Sequence, residues 1–173
     1  MLSPALPSAA MTYTRAELEA MAGELHMDGG FGGINPTIDQ LVELFERGGD
    51  GPVQMINLLK FKPRAEYPPG TEDLGGTGEE AYQRYGINTL PHVTSRGGRL
   101  TLLAVADSIV LGDMGHDDWD QVAIMEYPTR DAFIDMGRDP DYQAGTVHRT
   151  AGLERSAIIA VTPVIDASAP PTP

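Results

Sequence analysis

Five side chains that can donate, accept or transfer protons recur at helical spacing between positions 82 and 96. They are Tyr82, Tyr85, Thr89, His92 and Arg96, and their steps of three or four residues place all five on one stripe of a helix. Two phenols and an imidazole on one surface supply hydrogen-bond donors, an acceptor and a group that titrates near neutral pH. The stripe either faces a cavity or forms an amphipathic boundary with buried rings and solvated hydroxyls.

A second set of candidates lies in the segment "PDYQAGTVHRTAGL". Tyr142 and Arg149 are seven residues apart and share a helix face, whereas His148 lies on the neighbouring face with Ala144. An arginine inside a globular domain needs an anion, which is either a carboxylate of the protein or a carboxylate or phosphate of a ligand. Both alternatives remain open for Arg149.

The stretch "PVQMINLLKFK" reads as a buried strand with one amide, Asn57, at its centre. Alternation places Asn57 on the face that also carries Val53, Met55, Leu59 and Phe61. An unpaired buried amide costs roughly 1–3 kcal/mol, so Asn57 must find a partner in the protein, a water or a ligand.

The segment "WDQVAIMEYP" adds two candidates, Trp119 at the start of a strand and Glu126 near its end. Trp119 either contacts a ligand or caps the core at the sheet edge. Glu126 lies on the strand face opposite Trp119, beside Ile124. It is an acid or base with a raised pKa, or it pairs with Arg149, and we favour the pairing.

The sequence gives little support for a metal or cofactor. The loop "GDMGHDDWD" brings His116, Asp117, Asp118 and Asp120 together, but their spacing matches no metal motif and acidic loops are usually solvated. "GGFGG" lacks the dinucleotide-binding spacing, and neither a P-loop nor a GxSxG motif is present. The chain contains no cysteine, which excludes disulfides and thiolate chemistry. We therefore expect neither metal nor cofactor.

Charge and hydropathy limit the classes of partner that the protein is expected to bind. Asp and Glu number 25 against 12 Lys and Arg, a formal net charge of −13, and basic residues form no patch that would bind nucleic acid. The beginning, "MLSPALPSAAM", resembles neither a secretory signal nor an anchor, and no run of 18 apolar residues follows. A cytoplasmic protein that contacts neither nucleic acid nor membrane is expected.

The chain of 173 residues favours one domain, expected at residues 35–163. An N-terminal extension, residues 1–34, contains the helical pattern "TRAELEAMAGEL" and the Gly-rich "DGGFGGINP" and is partly flexible, and residues 164–173 form a disordered tail. Within the domain, helices are expected to begin at Pro36 or Thr37, at Thr77 with Glu80 as a capping box, at Thr129, and at Asp139 followed by Pro140. A leading helix "NPTIDQLVELFERGG" precedes strand, helix, strand, strand, helix pair and strand. This order of strands and helices is the βαββαβ arrangement of a ferredoxin-like α+β sandwich. The second strand is expected to bend near Asp107.

Helices cover only one side of such a sheet, yet these strands are apolar on both faces. In the first strand Ile56 and Leu58 alternate with Met55 and Leu59. A bare apolar face of this size usually marks an interface. A homodimer with the two sheets face to face is therefore predicted.

Several linked motifs resemble the family catalogued as domain of unknown function 1330. They are "PVQMINLLKFK", "AYQRYG", "SRGGR", "WDQVAIMEYPTRDAF" and "DPDYQAGTVHRTAGLERSAII", and the resemblance covers about residues 35–162. It implies a dimeric α/β barrel built from ferredoxin-like protomers. The wider superfamily includes cofactor-free quinone-forming monooxygenases, haem-degrading monooxygenases, muconolactone isomerase and polyketide cyclases, which bind small molecules between sheet and helices.

In the monooxygenases of that superfamily an Asn on the first strand, a Trp and a helical His line the cavity. Asn57 is on the first strand here, whereas Trp119 and His92 do not match those positions by motif. The resemblance therefore implies that Asn57 lies beside the sheet–helix cavity, next to a polar side chain of the helical layer. The resemblance favours a small metal-free enzyme acting on an anionic or phenolic compound by proton transfer, as an isomerase, cyclase, lyase or cofactor-independent monooxygenase. Asn57, Tyr85 and His92 would be catalytic, and six residues would bind substrate: Tyr82, Trp119, Glu126, Tyr142, His148 and Arg149. The alternatives are a non-catalytic metabolite-binding dimer and a purely structural polar network.

Overall fold

The structure is a computed structural model that describes residues 13–24 and 35–164. The Gly-rich segment expected from the sequence lies outside these residues except for Asn35 and Pro36 at its end. The expected C-terminal tail lies outside them except for its first residue, Val164. In chain order the elements are α1 (Arg15–Glu24), α2 (Ile38–Glu46), β1 (Val53–Phe61), α3 (Gly78–Ser95), β2 (Arg99–Val105), β3 (Gln121–Tyr127), α4 (Arg130–Gly137), α5 (Pro140–Gly152) and β4 (Leu153–Val161).

Local capping signals set where the helices begin. Thr37 and Thr77 each accept a hydrogen bond from the backbone N–H three residues on, and the side chains of Gln40 and Glu80 return the bond. Asp139 caps α5 with Pro140 at its first position, and Thr129 caps α4. These short-range hydrogen bonds explain why the helix starts predicted from the sequence are confirmed.

The four strands form one antiparallel sheet in the order β2-β3-β1-β4. The first and last strands, β1 and β4, lie side by side, and β3 lies between β1 and β2. This is the ferredoxin-like arrangement expected from the element order. The fold is therefore α+β, with helices on one side of the sheet.

The helix-covered side of the sheet holds the main core. Val53, Met55 and Tyr127 are buried there against Val93 of α3 and Met136 of α4. The register also places Asn57 on this side, in a cross-strand row with Ala123 of β3 and Ile158 of β4. The predicted position of Asn57 among the buried residues of β1 is therefore confirmed.

The opposite side, here called the bare face, carries two apolar rows that cross all four strands. One row runs Leu102, Ile124, Ile56, Ile159 and the other Ala104, Val122, Leu58, Ala157. No element of the described chain is packed over these rows, and Leu102 and Ile159 are 42% and 50% exposed. The sheet therefore has an apolar face without an intramolecular partner.

The N-terminal helix is part of the packed structure. Leu18 of α1 is fully buried against Leu41, Val42 and Phe45 of α2 and Ile134 of α4. Tyr13 extends this contact, with its ring 5.2 Å from that of Phe45. The described part of the extension thus docks on the domain through α2.

The second strand is shorter than predicted. β2 ends at Val105, and one further pairing, from the Ala106 N–H to the Asp120 carbonyl, closes the ladder. Residues 107–120 form a loop in which Gly112 has φ +148°, a conformation that ends extended structure. The expected continuation beyond Asp107 is wrong because β3, the pairing partner, itself begins only at Gln121.

Candidate functional site

Three tyrosines occupy the layer between sheet and helices. Tyr85 of α3 and Tyr142 of α5 share a hydrogen bond of 2.9 Å between their hydroxyls, and the ring of Tyr82 lies 5.3 Å from that of Tyr85. Phe61 and His92 extend the ring contacts at either end, against Tyr82 and Tyr142 respectively. Tyr82, Tyr85 and Tyr142 are called the tyrosine cluster below.

Burial controls the protonation of this cluster. Desolvation raises the pKa of Tyr82 and of Tyr142, while the nearby charge of Arg149 lowers both in part. Both phenols are therefore neutral at physiological pH. They offer hydrogen-bond donors and apolar ring surface to anything bound beside them.

Arg149 is the buried cation of this layer. It is 9% exposed and donates from Nη1 to the side-chain oxygen of Asn35, 3.2 Å away. The sequence had favoured an ion pair between Arg149 and Glu126. That prediction is wrong: Glu126 lies on the bare face, where Arg99 Nε donates to it at 2.9 Å and Gln54 at 3.1 Å.

Asn57 satisfies its amide nitrogen locally. Nδ2 donates to the backbone carbonyls of Met55, at 2.9 Å, and of Ala123, at 3.3 Å. The expected polar partner from the helical layer is therefore replaced by two strand carbonyls. Since both N–H groups have acceptors, the group that Asn57 retains for another molecule is its oxygen, an acceptor.

His92 is held at the end of α3 by Asp139, the cap of α5. Its Nδ1 lies 3.2 Å from Asp139 Oδ2, and Arg96 Nη2 donates to the same oxygen at 3.1 Å. Burial alone raises the pKa of Asp139, but hydrogen bonds from Arg96, from the backbone of α5 and from His92 bring it below its usual value. Asp139 is thus an anion that fixes the orientation of the imidazole.

Two buried hydroxyls in the layer lack a partner among the described residues. They are Thr89 Oγ1, one helical turn after Tyr85, and Ser156 Oγ, opposite Leu59 on the helix-covered side of β4. Thr89 belonged to the predicted stripe, whereas Ser156 was missed. Its only sequence signal is a single hydroxyl residue within an apolar strand.

His148 lies apart from the tyrosine cluster, in a group with Tyr67 and Arg84. Its Nδ1 is 3.0 Å from the Tyr67 hydroxyl, which also accepts from Arg84 Nη1 at 3.2 Å. Burial and then the charge of Arg84 lower the pKa of His148. Tyr67 and Arg84 were missed, because a contact between the β1–α3 connection and two helices leaves no local pattern.

Trp119 also lies apart from the tyrosine cluster. It precedes β3 instead of starting it, and the guanidinium of Arg155 stacks 4.6 Å from its ring centre. Arg155 in turn pairs with Asp118. The contacts of Trp119 are thus with the polar end of the bare face, where Lys60 pairs with Asp118 and Asp120.

The acidic loop is neutralised by the protein's own cations. Lys60 and Arg155 neutralise Asp118, Lys60 neutralises Asp120, and His116 lies 3.2 Å from Asp117. Within residues 13–24 and 35–164 no three His, Asp or Glu side chains are arranged to hold a metal ion. None of the helices in the described ranges is long and apolar enough to cross a bilayer.

Comparison with known proteins identifies the family. The model of the domain of unknown function DUF1330 matches residues 74–162, just over half of the chain. The chain belongs to this family. No curated protein matches the sequence.

The chain is also similar to proteins of known structure. A crystal structure of the methylated RPA0582 protein is 34% identical, covers 79% of this chain and 98% of its own, and has a TM-score of 0.70. A second structure of RPA0582, a protein of unknown function from Rhodopseudomonas palustris, is also 34% identical, with 77% and 98% coverage and a TM-score of 0.68. A dabb family protein with a ferredoxin-like fold from Mesorhizobium loti is 14% identical, with 66% and 98% coverage and a TM-score of 0.43.

Proposed function

We propose that this DUF1330 protein binds a small phenolic or anionic molecule in the layer between sheet and helices. The observation that carries the proposal is the pair of buried hydroxyls, Thr89 Oγ1 and Ser156 Oγ, without partners in the described chain. Each costs roughly 1–3 kcal/mol when it is left unsatisfied. A bound molecule that hydrogen-bonds to them removes this cost.

The surroundings of these hydroxyls fit a ligand with an aromatic body and a polar or negative group. The tyrosine cluster supplies ring surface, and Arg149 supplies a positive charge. Asn57 accepts a hydrogen bond through its oxygen, since its amide nitrogen already donates to two strand carbonyls. At the two sheet edges, Leu103 and Ile158 of the same cross-strand row are 57% and 43% exposed, so the layer is open to solvent there.

The chemistry that this site supports best is proton transfer without a metal. His92, oriented through Nδ1 by Asp139, moves the proton, and its ring lies 6.1 Å from that of Tyr142. The Tyr85–Tyr142 hydroxyl pair stabilises an oxygen that gains negative charge. The reaction would be of the isomerase, cyclase, lyase or cofactor-independent monooxygenase type. The second candidate, a metabolite-binding protein without catalysis, uses the same contacts.

A phenol whose ionised and neutral forms differ in colour tests the binding site. We expect 4-nitrophenol to bind and to ionise at lower pH than in water, because Arg149 favours the phenolate. Arg149→Gln should weaken binding at least about tenfold, and Ser156→Ala several-fold. The matched controls are Arg64→Gln and Ser108→Ala, which remove the same groups from exposed positions. Unchanged affinity in both site variants would contradict the proposed site.

Mass spectrometry of the bound compound separates the two candidates. The protein is incubated in air with any phenol or organic acid that binds, and the small molecules are then analysed. A new product that is lost in His92→Gln indicates the enzyme. Quantitative recovery of the unaltered compound indicates the binding protein.

We also propose that two protomers pair through their bare faces. The support is the pair of apolar rows across four strands, which no described element of the chain covers. Such pairing would close the two sheets into the barrel expected from the sequence.

A further inference from the structure

The outer surface of the helical layer contains a groove between α3 and α5. The helices run antiparallel, since Gly78 packs on Gly152 at one end and His92 contacts Tyr142 at the other. The groove has a volume of about 640 Å³. It is lined by Arg84, Ile87, Asn88, Pro91 and His92 of α3 and by Asp141 and Ala144 of α5.

Arg84 lies in this groove with only neutral partners in the described part of the chain. Its Nη1 donates to the Tyr67 hydroxyl and to the Gly75 carbonyl, both at 3.2 Å. Glu80, one turn earlier, uses its carboxylate for the backbone N–H of Thr77. The guanidinium of Arg84 therefore has no ion pair among the described residues, although the chain as a whole carries a net charge of −13. Its remaining N–H groups match the two oxygens of a carboxylate.

Tyr67 links Arg84 to His148 beside the groove. Its hydroxyl accepts a hydrogen bond from Arg84 Nη1 at 3.2 Å and lies 3.0 Å from His148 Nδ1. Burial lowers the pKa of His148, and the positive charge of Arg84 lowers it further. A negative group on Arg84 would offset that effect.

The middle of the groove is mainly apolar. Ile87, which is 78% exposed, lies with Pro91, Ala144 and one amide, Asn88, between Arg84 and the polar pair His92 and Asp141. Positions 84 and 92 on one helix are separated by about 12 Å, the length of a small aromatic molecule with a substituent. The carboxylate of Asp141 at the far end repels a second negative group of a ligand.

We propose that this groove binds an organic carboxylate, with the carboxylate on Arg84 and the apolar body across Ile87, Pro91 and Ala144. The groove lies apart from the site in the sheet–helix layer and has one residue in common with it, His92. The ring of His92 contacts Tyr142 on one side and lines the groove on the other. A hydroxyl or amino group at the far end of the ligand would complement Asp141.

Benzoate and its neutral isostere benzamide test the site in the full chain. NMR titrations of the histidines against pH, with and without benzoate, should show that benzoate raises the pKa of His148. Exposed His116, paired with Asp117 in the β2–β3 loop, is the internal control and should not respond. Benzamide should have no effect. Equal responses to benzoate and benzamide, or no response of His148 at saturating benzoate, would overturn the proposal.

Variants identify the contact. Arg84→Gln should weaken benzoate binding at least about tenfold, whereas Arg64→Gln, at an exposed position of the preceding connection, should leave it unchanged. Ile87→Glu places a carboxylate on the exposed groove wall and should also weaken binding, so the test stands if Arg84→Gln misfolds. Binding that survives both groove variants but falls in Arg149→Gln would assign benzoate to the inner layer and refute the groove site.

Discussion

At the scale of single residues, the buried polar atoms are satisfied mainly in pairs that span two elements. The hydroxyls of Tyr85 and Tyr142 join α3 to α5, and Asp139 joins the start of α5 to His92 and Arg96 at the end of α3. Each pair fixes the relative position of the two helices at one point. The tyrosine cluster therefore has a structural role whether or not a ligand binds beside it.

The tyrosine pair gives a direct test of this role. Tyr85→Phe and Tyr142→Phe should each destabilise the protein by about 1–3 kcal/mol, because each leaves the other buried hydroxyl without its partner. The double variant removes both hydroxyls, so its loss should be smaller than the sum by about 1 kcal/mol. Urea unfolding of the four proteins measures this coupling. Additive losses would show that the 2.9 Å hydrogen bond contributes no coupling energy.

His148 should contribute to the dependence of stability on pH. Its folded pKa lies below its unfolded value because of burial and the charge of Arg84. The unfolded chain therefore binds more protons as the pH falls from about 6.5, and stability should decrease over that interval. Replacing His148 with Gln should remove this component, whereas His116→Gln should not. The free energy of unfolding at a series of pH values measures both.

Residue roles were predictable only as far as strand alternation determines them. Alternation placed Asn57 on the strand face of Met55 and Glu126 on that of Ile124, and the register agrees with both. It did not show which face the helices cover, so the pairing of Glu126 with Arg149 was predicted wrongly. It could not supply partners: the acceptors of Asn57 are carbonyls of its own and a neighbouring strand, and the partner of Glu126 is Arg99 of β2. Partner choice depends on register between strands, which a single sequence does not encode locally.

At the scale of elements, close backbone contact determines how α3 joins β1 and α5. Gly78, the first residue of α3, donates its N–H to the Lys62 carbonyl just after β1. A Cβ built on it would lie 2.4 Å from both that carbonyl oxygen and the Gly152 carbonyl oxygen. Only glycine permits this three-way contact, so the residue positions the helix that carries the site.

Two glycines of α3 should respond oppositely to alanine. Gly78→Ala should destabilise the protein by about 3 kcal/mol, because the methyl group meets backbone atoms that cannot move aside cheaply. Gly86→Ala should stabilise it by about 0.5–1 kcal/mol, since open space surrounds that position and alanine favours a helix interior. Thermal unfolding of both variants checks the pair. Similar effects at the two positions would contradict the close contact at Gly78.

Element boundaries followed from the sequence wherever capping or turn residues define them. Thr37, Thr77, Thr129 and Asp139 begin their helices as predicted, since the capping bonds involve only neighbouring residues. The end of β2 was misjudged because it depends on where the distant β3 begins. The groove between α3 and α5 was not foreseen for the same reason, as it exists only once the two helices pack.

At the scale of the whole molecule, charge and the bare face oppose each other. The bare face favours association through its apolar rows, while a net charge of −13 on each protomer opposes it. The ends of the bare face are mixed in sign, with Arg99 and Glu126 at one end and Lys60, Arg155 and two aspartates at the other. Charges on the bare face are therefore locally balanced, so in the proposed dimer the repulsion would come from the rest of the surface.

The oligomeric state should therefore depend both on the apolar rows of the bare face and on the net charge of the protein. Leu102→Glu and Ile159→Glu place a carboxylate at the two ends of one apolar row, at positions that are already partly exposed in the protomer, so each should yield a folded monomer. Val110→Glu makes the same chemical change in the β2–β3 loop, at a residue that is 94% exposed, and should remain dimeric. Light scattering after size exclusion measures the mass of each protein.

Dimerisation should also tighten as salt screens the net charge. A wild-type monomer at all salt concentrations, or dimers in both sheet variants, would show that the bare face is not the interface between protomers.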